Sequence, residues 1–422
     1  MLLKKRMVKF MDNDIVRKVI NHAIETVPHY KKVIEKSMLF ENNNIILESF
    51  PVLKKDTIIN DEGNFISKKY IHEYQTGKLI MKKTSGSTGK CLNVYWSLND
   101  DTIANLEAWK YRYKWYNISV KDKYISFHTT LYYSNRFIGK ADMIFERSVN
   151  ISFNKNLIDK NNIHVYLRKI KKFEPIWMLT QPSVLHIILS LISAKELKVL
   201  NTLKYIELTG EYLTISTLKY FKESLPNVKF SNMYGTTETG CVALECPYGH
   251  LHILKNAIVE IFDDELEHPV IGEGNIVLTS LRNLSMLFIR YNIGDKGEVN
   301  KSNCECGFEG FDIKITLGRE GDIINLPNDI QKPCYILLYS IEEINDEFNC
   351  PITQFYFIQK SIDCFEVYIS IKDQFINWRK TIEESLIKSL KANLYDNANY
   401  TFIYVLNKTH EGNKLKFFSR KF

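Results

Sequence analysis

The chain is short of the residues that loosen or break a fold, with 18 glycines and 10 prolines in 422 positions. That excludes collagen-like, linker-rich and largely disordered architectures. It has no apolar run near the ~18 residues that span a bilayer, so membrane insertion is not expected. Neither sign of charge dominates: 56 basic residues stand against 49 acidic ones, a net charge of +7. Such an excess suits an anion-attracting surface. The basic clusters (Lys4-Lys5-Arg6, Lys68-Lys69, Lys169 to Lys172) are short and stand apart from aromatic platforms, so a nucleic-acid partner is not expected. Internal repeats and low-complexity tracts are also missing. Met1-Leu2-Leu3 runs straight into Lys4-Lys5-Arg6, without the apolar core of a secretory leader. Eight cysteines in such a chain read as thiols or metal ligands rather than a disulfide framework. The expected address is the cytoplasm.

What is present is material for a large packed interior: 45% hydrophobic residues, with 24 tyrosines and 24 phenylalanines. A chain this long exceeds one ordinary core, so two or three cooperating units are expected. Helical spacing runs through residues 7–40, interrupted at Pro28, and returns at 100–116, 183–193 and 215–225. Between these lie short apolar segments at 78–82, 92–96, 123–127, 176–180 and 205–208. Strands alternating with helices predict α/β layers with mainly parallel pairing. After residue 250 the texture becomes β-rich, with strands predicted at 258–262, 274–279 and 286–291. Beyond residue 322, strands at 355–358, 365–371 and 400–405 and a helix at 376–394 predict a small α+β domain. The expected organisation is a large domain over 1–318 with a β-rich subdomain over about 250–318. A hinge at 319–322 and a small mobile domain over 323–422 complete it.

The strongest local signal is Thr84-Ser85-Gly86-Ser87-Thr88-Gly89-Lys90 between two predicted strands. Two glycines let backbone amides approach an anion, and hydroxyls and a lysine add donors suited to a triphosphate. It lacks the Gly-x4-Gly-Lys-Ser/Thr spacing of P-loop NTPases. The competing reading is a surface turn. A second motif, Tyr234-Gly235-Thr236-Thr237-Glu238, offers an aromatic face for a base, a tight backbone passage, hydroxyls for a phosphate and a carboxylate for a cation. A third, Arg290-Tyr291-Asn292-Ile293-Gly294-Asp295, ends on a carboxylate able to accept two hydrogen bonds at once. Cys246, His250 or His252, Cys304 and Cys306 are a candidate tetrahedral metal set, although Cys-x-Cys is tighter than the usual Cys-x2-Cys.

In this order the motifs resemble those of the adenylate-forming superfamily of acyl-CoA synthetases, luciferases and adenylation domains. Within it the chain most resembles the phenylacetate–CoA ligase branch and its relatives in capsule biosynthesis. Phe50-Pro51-Val52-Leu53-Lys54-Lys55 resembles that branch's N-terminal signature, while Cys91 stands where the family usually follows the loop lysine with proline. The resemblance implies an enzyme that uses ATP and Mg²⁺ to adenylate a small carboxylic acid. The acyl group then passes to coenzyme A, or alternatively to an amine or a carrier thiol. It assigns residues 84–90 to the triphosphate, and Thr209-Gly210-Glu211 and Tyr234 to the two sides of adenine. Gly235 and Thr236 join the nucleotide site. Thr237 goes to the α-phosphate, Glu238 to Mg²⁺, Asp295 to the ribose hydroxyls, and Arg319 also to the nucleotide. Asp322 falls at the pivot of the small domain. Lys414, with Lys416 as the alternate, would offset charge on the reacting phosphorus. The branch also implies a structural Zn²⁺ on Cys246, His252, Cys304 and Cys306, and homodimers are common in it. Phe127, Tyr132 and Tyr133 are open between acid-pocket and core roles. The rival class is a non-catalytic nucleotide-binding protein of the same fold, against which stands the full charged set Glu238, Asp295, Arg319 and Lys414.

Overall fold

The computed structural model describes residues 13–36, 47–84, 91–129, 143–153, 160–316, 323–349, 351–404 and 418–422. Two compact units emerge, and the chain crosses between them more than once. The first takes its described residues from 1–120 and 231–316, the second from 121–131, 139–230 and 317–422.

In the first unit, helices Asn13–Thr26 and Pro28–Lys36 bury Val16, Val19, Ile20, Ala23 and Tyr30. The expected break at Pro28 is therefore a helix start, where a missing N–H costs nothing. A hairpin pairs Ile80–Lys83 with Asn93–Trp96. Helix Leu98–Tyr116 follows, capped by the Ser97 side chain on the Asp100 N–H and ended by a left-handed Asn117. Among the described residues, the unit's main sheet is antiparallel. Gly240–Glu245 pairs with Lys229–Thr236 and with Leu251–Ile253. Beyond it run Phe311–Thr316, Tyr291–Lys301, Glu273–Ser280 and Ala257–Phe262 in turn. One face packs Ile258 with the N-terminal helices and the 286–291 segment; the other packs Val259, Ile261, Ile276 and Val299.

The strand predicted at 286–291 is a correction. Met286 makes a lone bridge to Ile66, and regular pairing begins only at Tyr291. Every residue from Met286 to Tyr291 is buried. Arg290 takes a left-handed φ of 51°, one residue before the ladder begins. Uninterrupted burial produces the same apolar signature as a strand without the strand.

In the second unit, Tyr124–Thr129 lies between Ser148–Phe153 and Trp177–Thr180, and Trp177–Thr180 also pairs with Tyr205–Thr209, all parallel. Helix Pro182–Leu191 is apolar nearly all round and correspondingly buried. The C-terminal portion has its own core under helices Tyr335–Glu347 and Arg379–Asn393. They cover a sheet in which Ile352–Ser361 and Cys364–Ile371 are antiparallel, flanked by parallel Phe418–Arg420 and Asn399–Tyr404. Among the described residues, no helix is long and apolar enough to cross a membrane.

Candidate active site

The Tyr234 and Asp295 motifs meet in the first unit. Tyr234 lies near the end of strand Lys229–Thr236, where the pairing shifts between Tyr234 and Gly235. Thr237, Glu238 and Thr239 then form a three-residue turn closed by Gly240 at φ 77°, a conformation that suits glycine. The Thr239 N–H donates to the Thr236 hydroxyl oxygen at 3.1 Å, and the two threonine hydroxyls are 2.9 Å apart. A Cβ on Gly235 would stand 3.2 Å from the Gly240 carbonyl, so the turn favours glycine there too. Glu238 is buried in this turn. The Trp96 indole N–H, from the hairpin's second strand, donates to the Thr237 carbonyl at 3.0 Å.

Asp295 owes its position to a bulge. Asn275 pairs with Lys296 and Val277 with Asn292. Ile276 alone therefore faces Ile293, Gly294 and Asp295, which leave the ladder. Bulges re-aim side chains in this way beside functional sites. Gly294 has φ 78°, and its N–H donates to the Asn292 side-chain oxygen at 2.9 Å. The Tyr234 hydroxyl donates to an Asp295 carboxylate oxygen at 3.1 Å. An aromatic ring, a half-buried carboxylate and the Thr237-Glu238 turn are thus linked within one sheet.

Thr84 closes the hairpin mouth: its N–H donates to the Leu92 carbonyl, and its hydroxyl oxygen accepts the Leu92 N–H, both at 2.9 Å. Ser85, Gly86, Ser87, Thr88, Gly89 and Lys90 lie outside the described residues, as do Tyr132, Tyr133, Arg319, Asp322, Lys414 and Lys416. Gly210 and Glu211 belong to the second unit. There the Glu211 carboxylate accepts the Ser183 N–H at 3.0 Å in the first turn of helix Pro182–Leu191. Gly210, at φ 80°, lies against Gln181. Phe127 is buried in that unit's apolar core.

The cysteine set also converges: the ligand atoms of Cys246, His252, Cys304 and Cys306 all lie within 4.8 Å of one another. The Cys246 and Cys304 sulfurs are 3.6 Å apart, near the ~3.8 Å edge of a tetrahedron with ~2.3 Å metal–sulfur bonds. His252 Nε2 lies 3.1 Å from the Cys306 sulfur. Its Nδ1 faces Asp312 at 2.5 Å, and His250 Nδ1 takes the other oxygen of the same carboxylate at 2.9 Å. His252 rather than His250 is thus turned into the cluster. Burial pushes the Cys246 thiol up to about 12 and raises that of Cys306. A cation at the centre would reverse that preference. Asp312 was missed in sequence because it reaches His252 only through the pairing of strands Leu251–Ile253 and Phe311–Thr316, which carries no local signal.

The AMP-binding enzyme family matches residues 46–280, more than half of the chain. Protein CapK of Staphylococcus aureus is 24% identical over 410 residues, covering 94% of this chain and 85% of that protein. A 2-hydroxyisobutyryl-CoA ligase in complex with 2-HIB-AMP shares the fold at TM-score 0.72 and 13% identity, over 97% of this chain and 88% of that one. An anthranilate CoA ligase with anthranoyl-AMP does so at 0.57 and 15%, over 80% and 65%. The family match covers the Thr84, Gly210 and Tyr234 motifs together, and this chain belongs to the AMP-binding enzyme family.

Proposed function

We propose that the protein is an ATP-dependent carboxylic acid ligase. A carboxylate oxygen attacks the α-phosphorus of ATP, the bond to the bridging oxygen breaks, and acyl-AMP and pyrophosphate form. A thiol or amine then attacks the acyl carbon, and AMP leaves with the carboxylate oxygen. A carboxylate is a poor electrophile, and AMP is a far better leaving group than hydroxide. The observation that carries this reading is the contact between Tyr234 and Asp295, one hairpin turn from a buried Glu238. It gives the adenosine a ring to stack on and a carboxylate to take its ribose hydroxyls.

In this reading Thr237 contacts the α-phosphate and Gly235 and Thr236 shape its approach. Residues 84–90 cover the β- and γ-phosphates, with Arg319 also on the nucleotide. Glu238 would hold Mg²⁺, which when bound supplies charge compensation for the triphosphate. Lys414, or Lys416, neutralises charge on the reacting phosphorus. Rotation about Asp322 lets one small domain serve both half-reactions. The family resemblance also assigns Gly210 and Glu211 to adenine. Cys246, His252, Cys304 and Cys306 would hold a structural Zn²⁺ with no open position for chemistry.

Coenzyme A is the acceptor of the leading proposal, supported by the fold shared with CoA ligases. In a second reading, which the resemblance to the capsule-biosynthesis branch implies, an amino sugar takes the acyl group during polysaccharide assembly. Acid-dependent pyrophosphate–ATP exchange with a broad acid panel tests the first step. Exchange with at least one acid is expected, and its absence across the panel overturns the proposal. Product assays with and without CoA separate the acceptors.

A further inference from the structure

The Phe50-Pro51-Val52-Leu53 signature has no part in the chemistry above, yet it is fastened to the strand that presents Asp295. The fastener is Arg290, buried and left-handed at φ 51°. A glycine would adopt that backbone freely, whereas here a large side chain holds it. Nε donates to one Glu260 oxygen at 3.1 Å and Nη2 to the other at 3.4 Å. Nη1 donates to the Phe50 carbonyl at 2.6 Å and to the Glu48 carbonyl at 3.2 Å. The guanidinium also lies over the Phe262 ring, 4.8 Å from its centre. Lysine, a point charge without the planar fork, cannot reproduce this set.

The backbone completes the connection. The Arg290 N–H donates to the Thr279 hydroxyl oxygen at 2.9 Å. The Leu53 N–H donates to the Arg290 carbonyl at 2.8 Å, and the Asn292 N–H to the Leu53 carbonyl at 2.9 Å. Leu53 is therefore clamped between Arg290 and Asn292. The Asn292 side chain in turn accepts the Gly294 N–H, immediately before Asp295. An unbroken series of contacts runs from Glu260 through Arg290, Leu53 and Asn292 to the bulge.

We infer that Arg290 is a positioning residue for the nucleotide: by clamping the Phe50–Leu53 segment against the start of strand Tyr291–Lys301, it sets the bulge that aims Asp295 at the ribose. This rests on the proposed role of Asp295. The Phe50–Leu53 signature is then a brace for the ribose subsite and touches no substrate. Losing the brace misplaces a carboxylate, so the defect falls on recognition of the sugar hydroxyls.

The test measures binding of ATP and 3′-deoxy-ATP to the full chain by calorimetry, in the wild type and in Arg290→Lys, Glu260→Gln and Asp295→Ala. Wild-type protein should prefer ATP by about tenfold or more, the worth of a hydrogen bond to a charged group. Arg290→Lys should narrow that preference about fivefold or more. Adding Asp295→Ala to it should narrow the preference little further, because coupled residues are non-additive. Glu260→Gln, which leaves Phe50 and Glu48 bonded to Arg290, should narrow it about twofold and keeps the test usable if Arg290→Lys does not fold. Equal weakening for both nucleotides, with the preference intact, overturns the inference and leaves Arg290 a purely structural residue. A wild type that binds both nucleotides equally overturns it at its root. Pyrophosphate exchange run alongside keeps these outcomes separate from a failure of the ligase reading.

Discussion

The Tyr234 hydroxyl and the Asp295 carboxylate, 61 residues apart in sequence, meet at 3.1 Å. Each stands beside an irregularity in the antiparallel ladder: the register shift after Tyr234, and the three-against-one bulge that contains Asp295. Regular pairing would carry successive side chains to alternate faces. The bulge releases Asp295 from that alternation, and Gly294 supplies the backbone conformation it needs.

Separating ring from hydroxyl tests that pairing. Tyr234→Phe keeps the aromatic face and should raise KM for ATP only a few-fold, the scale of one modest hydrogen bond. Asp295→Ala removes the proposed ribose acceptor and should cost about 10- to 100-fold in kcat/KM for ATP. KM for the acid should move little in either variant. Steady-state exchange kinetics with ATP and acid varied separately read all of these.

Trp96 ties the hairpin beside the 84–90 segment to the Thr237-Glu238 turn through one indole N–H. Trp96→Phe removes that donor and leaves the Thr237 carbonyl unpaired at a cost of about 1 kcal/mol. The expected result is a kcat roughly fivefold lower, by the same conversion. Thermal unfolding should show a smaller relative change than kcat.

The cysteine cluster should hold about one zinc per chain by elemental analysis. Cys304→Ser should abolish stoichiometric zinc. Asp312→Asn, which weakens the orienting bond to His252, should lower zinc affinity about 10- to 100-fold. Because desolvation holds the buried Cys246 and half-buried Cys306 thiols protonated without a cation, zinc uptake should release protons and weaken as pH falls. Competition with a chromogenic chelator at two pH values checks both effects.

His186 gives a pH dependence unrelated to catalysis. Burial, and then the nearby Lys372 charge, push its imidazole down to about 3. The unfolded chain gains this proton near the ordinary imidazole value of 6.5, whereas the folded chain does not until about 3. Between those values the unfolded state binds more protons, so His186 costs stability as pH falls, by about 1.4 kcal/mol per unit. Denaturant titrations from pH 7 to 4 should show this slope. His186→Leu should reduce it by one proton's worth, whereas an unchanged slope would remove His186 as its source.

The alternation of strand and helix from 176 to 225 was legible because each segment keeps one hydrophobic period. Tyr205–Thr209 and Ile215–Ser224 fall within a residue of expectation. The strand Tyr291–Lys301 was not: its Asn292-Ile293-Gly294-Asp295 stretch is polar and glycine-bearing and bulges out of the ladder. The buried run before it imitated a strand. Strand Ser148–Phe153 was also passed over, and so was helix Ile163–Phe173, although its buried Ile163, Leu167 and Ile170 recur at helical spacing. Convergence of Tyr234 with Asp295, whose strands are not neighbours in the sheet, and of Cys246 with Cys304 is tertiary, and no local pattern encodes it.

The central claim is that a carboxylate oxygen attacks the α-phosphorus. The most direct measurement supplies the acid with ¹⁸O in its carboxylate, adds ATP and the acyl acceptor, and weighs the AMP released. The account requires AMP carrying one ¹⁸O from the acid. Unlabelled AMP, or ADP with labelled phosphate, would place the attack elsewhere and contradict it.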